Sequence, residues 1–301
     1  MRVSLTILVF AKQVPDTANI TGQAMKEDGT VNRAALPAIF NPEDLNGLEM
    51  ALELRERYGG KVIVCTMGPP AAANILRQSL YMGADETILL TDRRFAGADT
   101  LATSYALASA ARKLGTFDLI VCGRQAIDGD TAQVGPQLAE KLGLPQVTYA
   151  ERIEWVKKGI IRVRSLIDGG HEVVEAPMPV LLTAVSTANT PRTVGARRLM
   201  QYKKAVTRSE LAARYGNRVY EDADQMAAEE EALRSKGLWI HEWGVDDLDA
   251  GAEHFGLAGS PTKVKQIESV VLTGGTYREI PPTDEGITGL VHELIADHIL
   301  S

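Results

Sequence analysis

The feature that most constrains this chain is an alternation running from its start to about residue 185, in which short β-branched runs are separated by longer segments of helical period. Strands of that kind bury both faces, and the helices between them bury one, so the pattern predicts an α/β fold with a doubly wound, mostly parallel sheet. Strands are expected at Val3–Phe10, Lys61–Met67, Glu86–Leu90, Leu119–Cys122 and Val180–Thr183, with helices at Pro42–Tyr58, Ala71–Met82, Thr100–Leu114 and Ala132–Leu142. Leu45, Leu48, Leu52 and Leu54 recur near helical spacing in the first helix, and Val134, Leu138 and Leu142 recur at every fourth position in the last. Each helix therefore has one apolar side to bury.

Two hairpin-like insertions interrupt the alternation. One centres on Glu27-Asp28-Gly29-Thr30, where Asp-Gly is a strong turn signal. The other, from Glu151 to Glu175, alternates Ile160, Arg162 and Arg164 and carries Gly169-Gly170, which predicts an antiparallel excursion from the main sheet. After Thr190-Pro191 the texture changes to a basic stretch from Arg192 to Arg208, then a charged helix-like run from Glu221 to Lys236, the stretch Gly256–Gln266, and an amphipathic segment, Glu285–Leu300. A division follows into an α/β domain over residues 1–190 and a C-terminal part over 191–301, too poor in large apolar residues to build its own core. Such a part folds against its domain or wraps another chain.

The formal net charge of -7 argues against nucleic acid as the main ligand. It leaves room for a small phosphorylated ligand, because backbone N–H groups at a helix start hold phosphate whatever the overall charge. Cys65 and Cys122 stand at no redox or metal-knuckle spacing, which fits a reducing cytoplasm. The opening residues read as a first strand rather than a signal peptide, and no apolar run is long enough for membrane insertion.

The most informative stretch runs from Asp118 to Pro136, a strand followed by a glycine-bearing polar loop and a helix. Gly123, Gly129 and Gly135 permit close backbone approach, Asp130 or Thr131 can cap the helix, and its first N–H groups point above the sheet edge, where open α/β sheets bind ligands. Three other strand ends should converge there: Ala11-Lys12-Gln13, Thr66-Met67-Gly68-Pro69, and the segment from Gly97 to Thr103. Small residues and hydroxyls at four such ends suit an adenine nucleotide lying across the sheet; the plain alternative is a tight, capped turn. Asp128 and Asp130 lack a further acidic or histidine partner at ligand spacing, so no metal site and no catalytic pair is assigned. His171, His241, His254, His292 and His298 are scattered and read as surface or structural residues, and both cysteines read as small buried groups at strand ends.

The chain resembles the beta subunit of electron transfer flavoproteins at Val9-Phe-Ala-Lys-Gln-Val-Pro-Asp-Thr17, at Asn41-Pro-Glu-Asp-Leu-Asn-Gly-Leu-Glu-Met-Ala51, at Thr66-Met-Gly-Pro69 and at Gly123 to Pro136. Val163-Arg-Ser-Leu-Ile-Asp-Gly-Gly-His-Glu and Pro179-Val-Leu-Leu-Thr183 look like the family's signature region, and the likeness resumes at Ala258-Gly-Ser-Pro-Thr-Lys-Val264. The resemblance implies a Rossmann-like fold, an alpha subunit partner carrying a redox flavin in a separate domain, and an adenine-nucleotide site in this chain. In the ordinary branch that site holds AMP. In the electron-bifurcating branch it holds FAD, which accepts hydride from NADH; the loop from Gly123 to Pro136, the Gly97–Ser104 segment and the Ala-Gly-Ser-Pro-Thr ending look more like that branch.

The resemblance further implies site residues. Ala11 and Thr66 would flank the adenosine, with Lys12, Cys65, Met67, Gly68 and Gly123 beside them, and Asn41 and Asp44 would orient its polar edges. The phosphates would meet N–H groups around Gly129, Thr131, Gln133, Val134 and Gly135. Ribose contacts or capping suit Asp128 and Asp130 better, since two carboxylates repel a pyrophosphate. Arg124 would pair with a phosphate or serve the flavin, whose ring Asp99, Thr100, Leu101 and Thr103 would line.

The family docks onto acyl-CoA dehydrogenases through an apolar anchor and a basic stretch. Here the anchor position falls near Ala196, so Leu199 or Met200 takes it over, or the partner differs. Arg197, Arg198, Lys203 and Lys204 keep the basic character, and a solvated basic linker is the plain alternative. The segment from Glu221 to Asp249 is longer than the family pattern, and Trp239, Ile240 and Trp243 would anchor it on this chain or on the alpha chain. The expected function is therefore that of a component of a flavin-dependent complex. It would oxidise NADH at FAD in this chain and serve ferredoxin or flavodoxin together with an acyl-CoA dehydrogenase-type flavoenzyme. The alternatives are an AMP-holding carrier between such a dehydrogenase and a quinone reductase, and a stand-alone ATP- or AMP-binding stress-type module.

Overall fold

The structure, a computed structural model, describes residues 4–16, 36–216, 222–262 and 279–296. The Glu27–Thr30 turn, His298 and the ends of the Gly256–Gln266 and Glu285–Leu300 segments lie outside the described residues. The chain runs β1 (Leu5–Phe10), β2 (Gln13–Pro15), β3 (Ala38–Phe40), α1 (Pro42–Tyr58), β4 (Gly60–Met67), α2 (Ala73–Met82), β5 (Glu86–Leu90), α3 (Thr100–Leu114), β6 (Leu119–Gly123) and α4 (Val134–Leu142). It continues through β7 (Gln146–Lys157), β8 (Ile160–Ile167), β9 (Gly170–Pro177), β10 (Val180–Ala184), α5 (Ala196–Tyr202), α6 (Arg208–Tyr215), α7 (Ala223–Ser235), β11 (His241–Trp243) and α8 (Asp284–Ala296).

One sheet has the order β11-β5-β4-β1-β6-β10-β7-β8-β9, and β2 pairs with β3 apart from it. From β11 to β7 neighbouring strands are parallel, while β7, β8 and β9 form an antiparallel meander. The period of two sorts β1 between two cores: Leu5, Ile7 and Val9 join α1 and α2 on one face, and Leu8 and Phe10 join α3 and α4 on the other. Ala106, Ala108, Ala110 and Ala111 let α3 lie close against that second face. From β1 the chain winds outward through β4 and β5, then returns to place β6 on the other side of β1. This reversal opens a crevice between the carboxyl ends of β1 and β6.

The excursion is longer than expected, because β7 begins at Gln146 beside β10 before turning antiparallel. The β7–β8 turn, Lys158-Gly159, has positive φ at both residues (50° and 78°), the backbone that a two-residue hairpin requires. The predicted helix at Ala132 starts instead at Val134, since Ala132 is left-handed at φ 52°. Likewise α2 is preceded by a 3-10 turn over Pro70–Ala72, so the α-helix begins at Ala73.

Past residue 190 the chain builds onto the same sheet. β11 pairs with β5 and supplies an edge, and Phe255, at 1 % exposure, enters the core beneath α3 with Phe95 and Tyr105 around it. Trp239 packs with Val206 and Leu211 in a small separate cluster, and Trp243 lies against the α3 side under the Lys113 ammonium. α7 buries none of its residues, and neither does α8, whose Ile287, Val291 and Ile295 form an exposed apolar stripe.

Candidate functional site

A cavity of about 400 Å³ occupies the crevice at the strand-order reversal. Of the residues expected there, Ala11, Lys12, Asp44, Met67, Asp99, Thr100, Thr103, Gly123, Arg124, Gly129, Asp130, Thr131, Gln133, Val134 and Gly135 share its wall. Six are placed elsewhere. Asn41, Cys65 and Thr66 are fully buried behind the wall, Gly68 continues the β4 line to bond the Leu90 carbonyl, Leu101 faces outward, and Asp128 sits at the rim. Phe10, Phe95, Gly97, Ala98, Leu107, Cys122, Gln125, Ala126 and Ala132 complete the lining. Phe10 ends β1 and Cys122 stands next to the last residue of β6, so both could have been read from position alone; Phe95 and Leu107 arrive only through tertiary packing.

The first turn of α1 organises one side of this cavity. Asp44 Oδ1 accepts from the Gly123 N–H and Oδ2 from the Lys12 N–H, both at 2.8 Å. Glu43 Oε2 accepts from the Gln125 N–H at 2.9 Å, and Asn41 donates to the Gln125 carbonyl (2.8 Å) and accepts from the Ile127 N–H (3.1 Å). Alternate amides of the loop after β6 are thus held by three side chains of one helix start, in place of a neighbouring strand. Asn41 engages this loop with both its polar atoms, so in this structure it shapes the wall from behind. Gly123 is what allows the approach: a Cβ there would lie 2.5 Å from Asp44 Oδ1 and 2.7 Å from the Glu43 carbonyl carbon.

Glu43, 6 % exposed, also pairs with Arg124 at 3.1 Å, and that guanidinium lies 5.6 Å from the centre of the Tyr149 ring. Lys12 Nζ reaches both oxygens of Asp128 at 2.7 Å, a bridge across the rim. Asp128 therefore engages a lysine in this structure, and Asp130 accepts from Gln125 Nε2 at 3.2 Å. Neither Asp130 nor Thr131 caps α4; Gln133 occupies the N-cap without a side-chain bond.

The loop into α4 has the backbone of an anion receptor. Asp130 and Ala132 are left-handed, at φ 49° and 52°, with right-handed Gln133 following (φ -98°, ψ -28°). Alternation of this kind turns successive N–H groups toward one point. Among the described residues the N–H groups of Thr131, Ala132, Gln133 and Val134 donate to no protein acceptor. A left-handed alanine costs about 1 kcal/mol, a strain that persists where the surroundings or a ligand require it.

α3 forms the opposite wall. Asp99 caps it by accepting from the Ala102 N–H (3.0 Å) and also holds the Thr262 N–H (3.1 Å), while Ser260 Oγ accepts from the Asp99 N–H. Partial burial pushes the Asp99 carboxyl up, but the backbone donors outweigh it and leave the group below its ordinary value. Thr100 Oγ1 donates to Gln133 Oε1 at 2.8 Å, tying the starts of α3 and α4 together. Burial raises the Cys65 thiol, and burial followed by the Asp44 charge raises the Cys122 thiol, so both are protonated and inert at neutral pH.

Burial pushes the Asp44 carboxyl from 3.8 up to about 7, against the lowering pull of its Lys12 and Gly123 N–H donors. An acid raised in the folded chain keeps its proton where the unfolded chain has released it. Stability therefore falls as pH climbs between those two values, and is unaffected by this group outside them. Asp44→Asn removes the effect: urea unfolding should show wild type losing stability relative to the variant by up to roughly 1.4 kcal/mol per pH unit within that window. An unchanging difference from about pH 4 to 8 would contradict this account.

A wider cleft of about 800 Å³ lies between α1 and β7, lined by Glu53, Glu56, Arg57, Glu151 and Arg152 among others. Charged side chains from both elements line it, and the N–H groups at residues 131–134 are not among its walls. No cluster of metal-ligating side chains occurs among the described residues. No described helix is long and apolar enough to cross a membrane.

On α5, Leu199 and Met200 are exposed (38 % and 61 %) beside exposed Arg197, Lys203 and Lys204. Arg198 is turned inward, donating to the Leu80 and Ala84 carbonyls at the end of α2 and stacking on Tyr202, so it belongs to the fold rather than to the exposed patch.

Residues 28–214 match the model of the electron transfer flavoprotein domain. Over 296 residues the chain is 41% identical to the electron transfer flavoprotein subunit beta of Clostridium acetobutylicum, covering 98% of this chain and 100% of that protein. It is 40% identical over 299 residues to the caffeyl-CoA reductase-Etf complex subunit CarD of Acetobacterium woodii, with 98% and 100% covered. To Protein FixA of Azorhizobium caulinodans it is 42% identical over 270 residues, with 87% and 83% covered. A two-sided α/β sheet, a cavity at its strand-order reversal and likeness of this extent together place the chain in the electron transfer flavoprotein family, among its beta subunits.

Proposed function

We propose that the chain holds FAD in the crevice between β1 and β6 and, paired with an electron transfer flavoprotein alpha subunit, belongs to a complex that takes electrons from NADH. The observation that carries the proposal is the set of unengaged N–H groups at residues 131–134, at the wall of that crevice on a backbone alternating in hand. Such a receptor suits a pyrophosphate in a protein of net negative charge, because it needs no lysine or arginine. A cavity of about 400 Å³ is at the small end of ligand pockets, roughly 300–1,000 Å³. It would enclose a group of adenosine size, with the flavin half of a dinucleotide at the open side, between Arg124 and the α3 start. The bound flavin would supply hydride acceptance and one-electron transfer; this chain's residues would orient it and set its surroundings. Arg124, already half-neutralised by Glu43, would favour the reduced anion less than a free guanidinium does.

The alpha partner fits the uncovered stripe Ile287, Val291 and Ile295 of α8, an apolar surface on a helix that buries nothing within this chain. Leu199 and Met200 within the basic α5 patch suit an acidic dehydrogenase surface of the acyl-CoA type, in line with the names of the caffeyl-CoA and acryloyl-CoA reductase relatives. A low-potential ferredoxin or flavodoxin would take the second electron. The second reading, structural AMP in the same cavity, draws on its small volume.

The test is to co-express the chain with an alpha subunit, purify the pair, count flavin by absorbance, and titrate with NADH. Two FAD per pair, one of them bleached by NADH, is the expected result. One FAD with one AMP would overturn the FAD assignment, and neither nucleotide would overturn the cavity assignment itself.

A further inference from the structure

We propose that Ser260 is a positioning residue of the cavity, through which the strap over residues 255–262 sets the α3 wall against the flavin half of a bound FAD. The inference rests on the FAD reading above. The strap runs alongside residues 94–99, which lead from β5 into α3 and bring Phe95, Gly97, Ala98 and Asp99 to the cavity. None of residues 255–262 lines the cavity, so their influence passes through that wall.

Ser260, 4 % exposed, is where the two segments are joined. Its Oγ accepts from the Asp99 N–H at 2.9 Å and donates its one hydrogen to the Gly256 carbonyl at 2.7 Å, with the Gly97 carbonyl beside it at 3.3 Å. A hydroxyl both accepts and donates, so this side chain fixes the residue before α3 and closes the strap's own turn. Around it the Leu257 N–H donates to the Ala96 carbonyl at 3.0 Å, the Thr262 N–H donates to Asp99 Oδ2 at 3.1 Å, and Phe255 meets Phe95 edge-on with ring centres 5.4 Å apart. Gly256 permits the closeness, since its φ is 54° and a Cβ there would collide with the Arg94 carbonyl oxygen. The opposite wall, residues 123–135, has its own support in Asn41, Glu43 and Asp44 at the start of α1. The Thr100–Gln133 bond between the walls joins exposed side chains, where water competes for it. A shift of the α3 wall therefore reaches the flavin side of the cavity first, and the adenosine and phosphate side last.

The experiment compares wild type with Ser260→Ala, which keeps the Cβ but takes the acceptor from the Asp99 N–H and the donor from the Gly256 carbonyl. FAD and AMP are each titrated calorimetrically into both full-length chains. FAD should bind about tenfold more weakly to the variant, the effect of one hydrogen bond left unmade, while AMP binding changes by less than about twofold. Equal weakening of both ligands, which a general loosening of the fold would give, overturns the proposal, and so does no change in either. Should the variant not fold, hydrogen exchange of wild type decides: FAD should raise protection of the Asp99 amide about tenfold more than AMP does, and equal protection by the two overturns the proposal. Wild type that binds FAD no more tightly than AMP would strike the FAD reading itself, and the proposal with it.

Discussion

Gly123→Ala is expected to lower stability by about 2–4 kcal/mol and to strip the protein of its nucleotide. The added Cβ would stand 2.5 Å from Asp44 Oδ1, 2.7 Å from the Glu43 carbonyl carbon and 2.8 Å from the Asp44 nitrogen. Two of those three atoms are backbone, so no side-chain rotation relieves the contact; β6 and the start of α1 must separate. Separation breaks the Asp44 bond to Gly123 and weakens the Glu43 bond to Gln125, leaving two nearly buried carboxylates short of donors. Gly170→Ala is the control, because a Cβ there meets nothing within 4 Å, the backbone is not left-handed and the residue lies outside the cavity wall. Urea unfolding and nucleotide content after gel filtration should separate the two variants. Wild-type stability together with full nucleotide content in Gly123→Ala would show that the clasp of α1 on the β6 loop does not govern the cavity.

The second large effect is expected at Arg192→Ala, at about 3 kcal/mol. Arg192 donates from its main chain and guanidinium to Glu49, which is 5 % exposed, and reaches Glu56 two turns further along α1. Both partners raise the Arg192 guanidinium pKa, Glu49 first, and removing it would leave the Glu49 charge buried without a counterion. Arg192→Lys should recover only part of the loss, because an ammonium cannot reproduce the forked contact. Combining Arg192→Met with Glu49→Gln should cost less than Arg192→Ala alone, since it removes the orphaned charge. The measurement is a double-mutant cycle in urea; equal costs for all these variants would mean that the pair is merely a surface bridge.

How much of this was legible beforehand differs from element to element. α1 was bounded correctly at Pro42 and Tyr58 because proline at the first helical position and the Gly59-Gly60 pair after it are local signals. α4 was begun two residues early because a left-handed alanine leaves no mark in composition. Most residues expected at the cavity do line it, since strand ends of a parallel sheet must emerge on one edge. Asn41 and Thr66 do not, because side-chain direction at a strand end and competition for hydrogen-bond partners are three-dimensional facts. Glu43 stands in the Asn41–Ala51 motif, but nothing in the sequence assigns it a role of its own. On paper it is an acidic residue in the first turn of a helix, where the helix dipole alone would justify it. In the fold it meets Arg124 and the Gln125 amide from more than 80 residues away.

The same distinction governs the C-terminal part. Arg192 and Arg198 read as members of a basic linker, yet one is half-buried against Glu49 and the other closes the end of α2, so the exposed patch is narrower than the charge count suggests. Hydrophobic period and glycine placement act through neighbours in sequence, and they were sufficient to indicate the doubly wound, mostly parallel sheet and the edge at which its strand ends converge. Which polar groups are left over to meet a ligand, and which are consumed in joining one element to another, depends on pairings between distant segments. Hydrogen bonds in a buried site saturate one partner at a time, and only the assembled tertiary structure decides who those partners are.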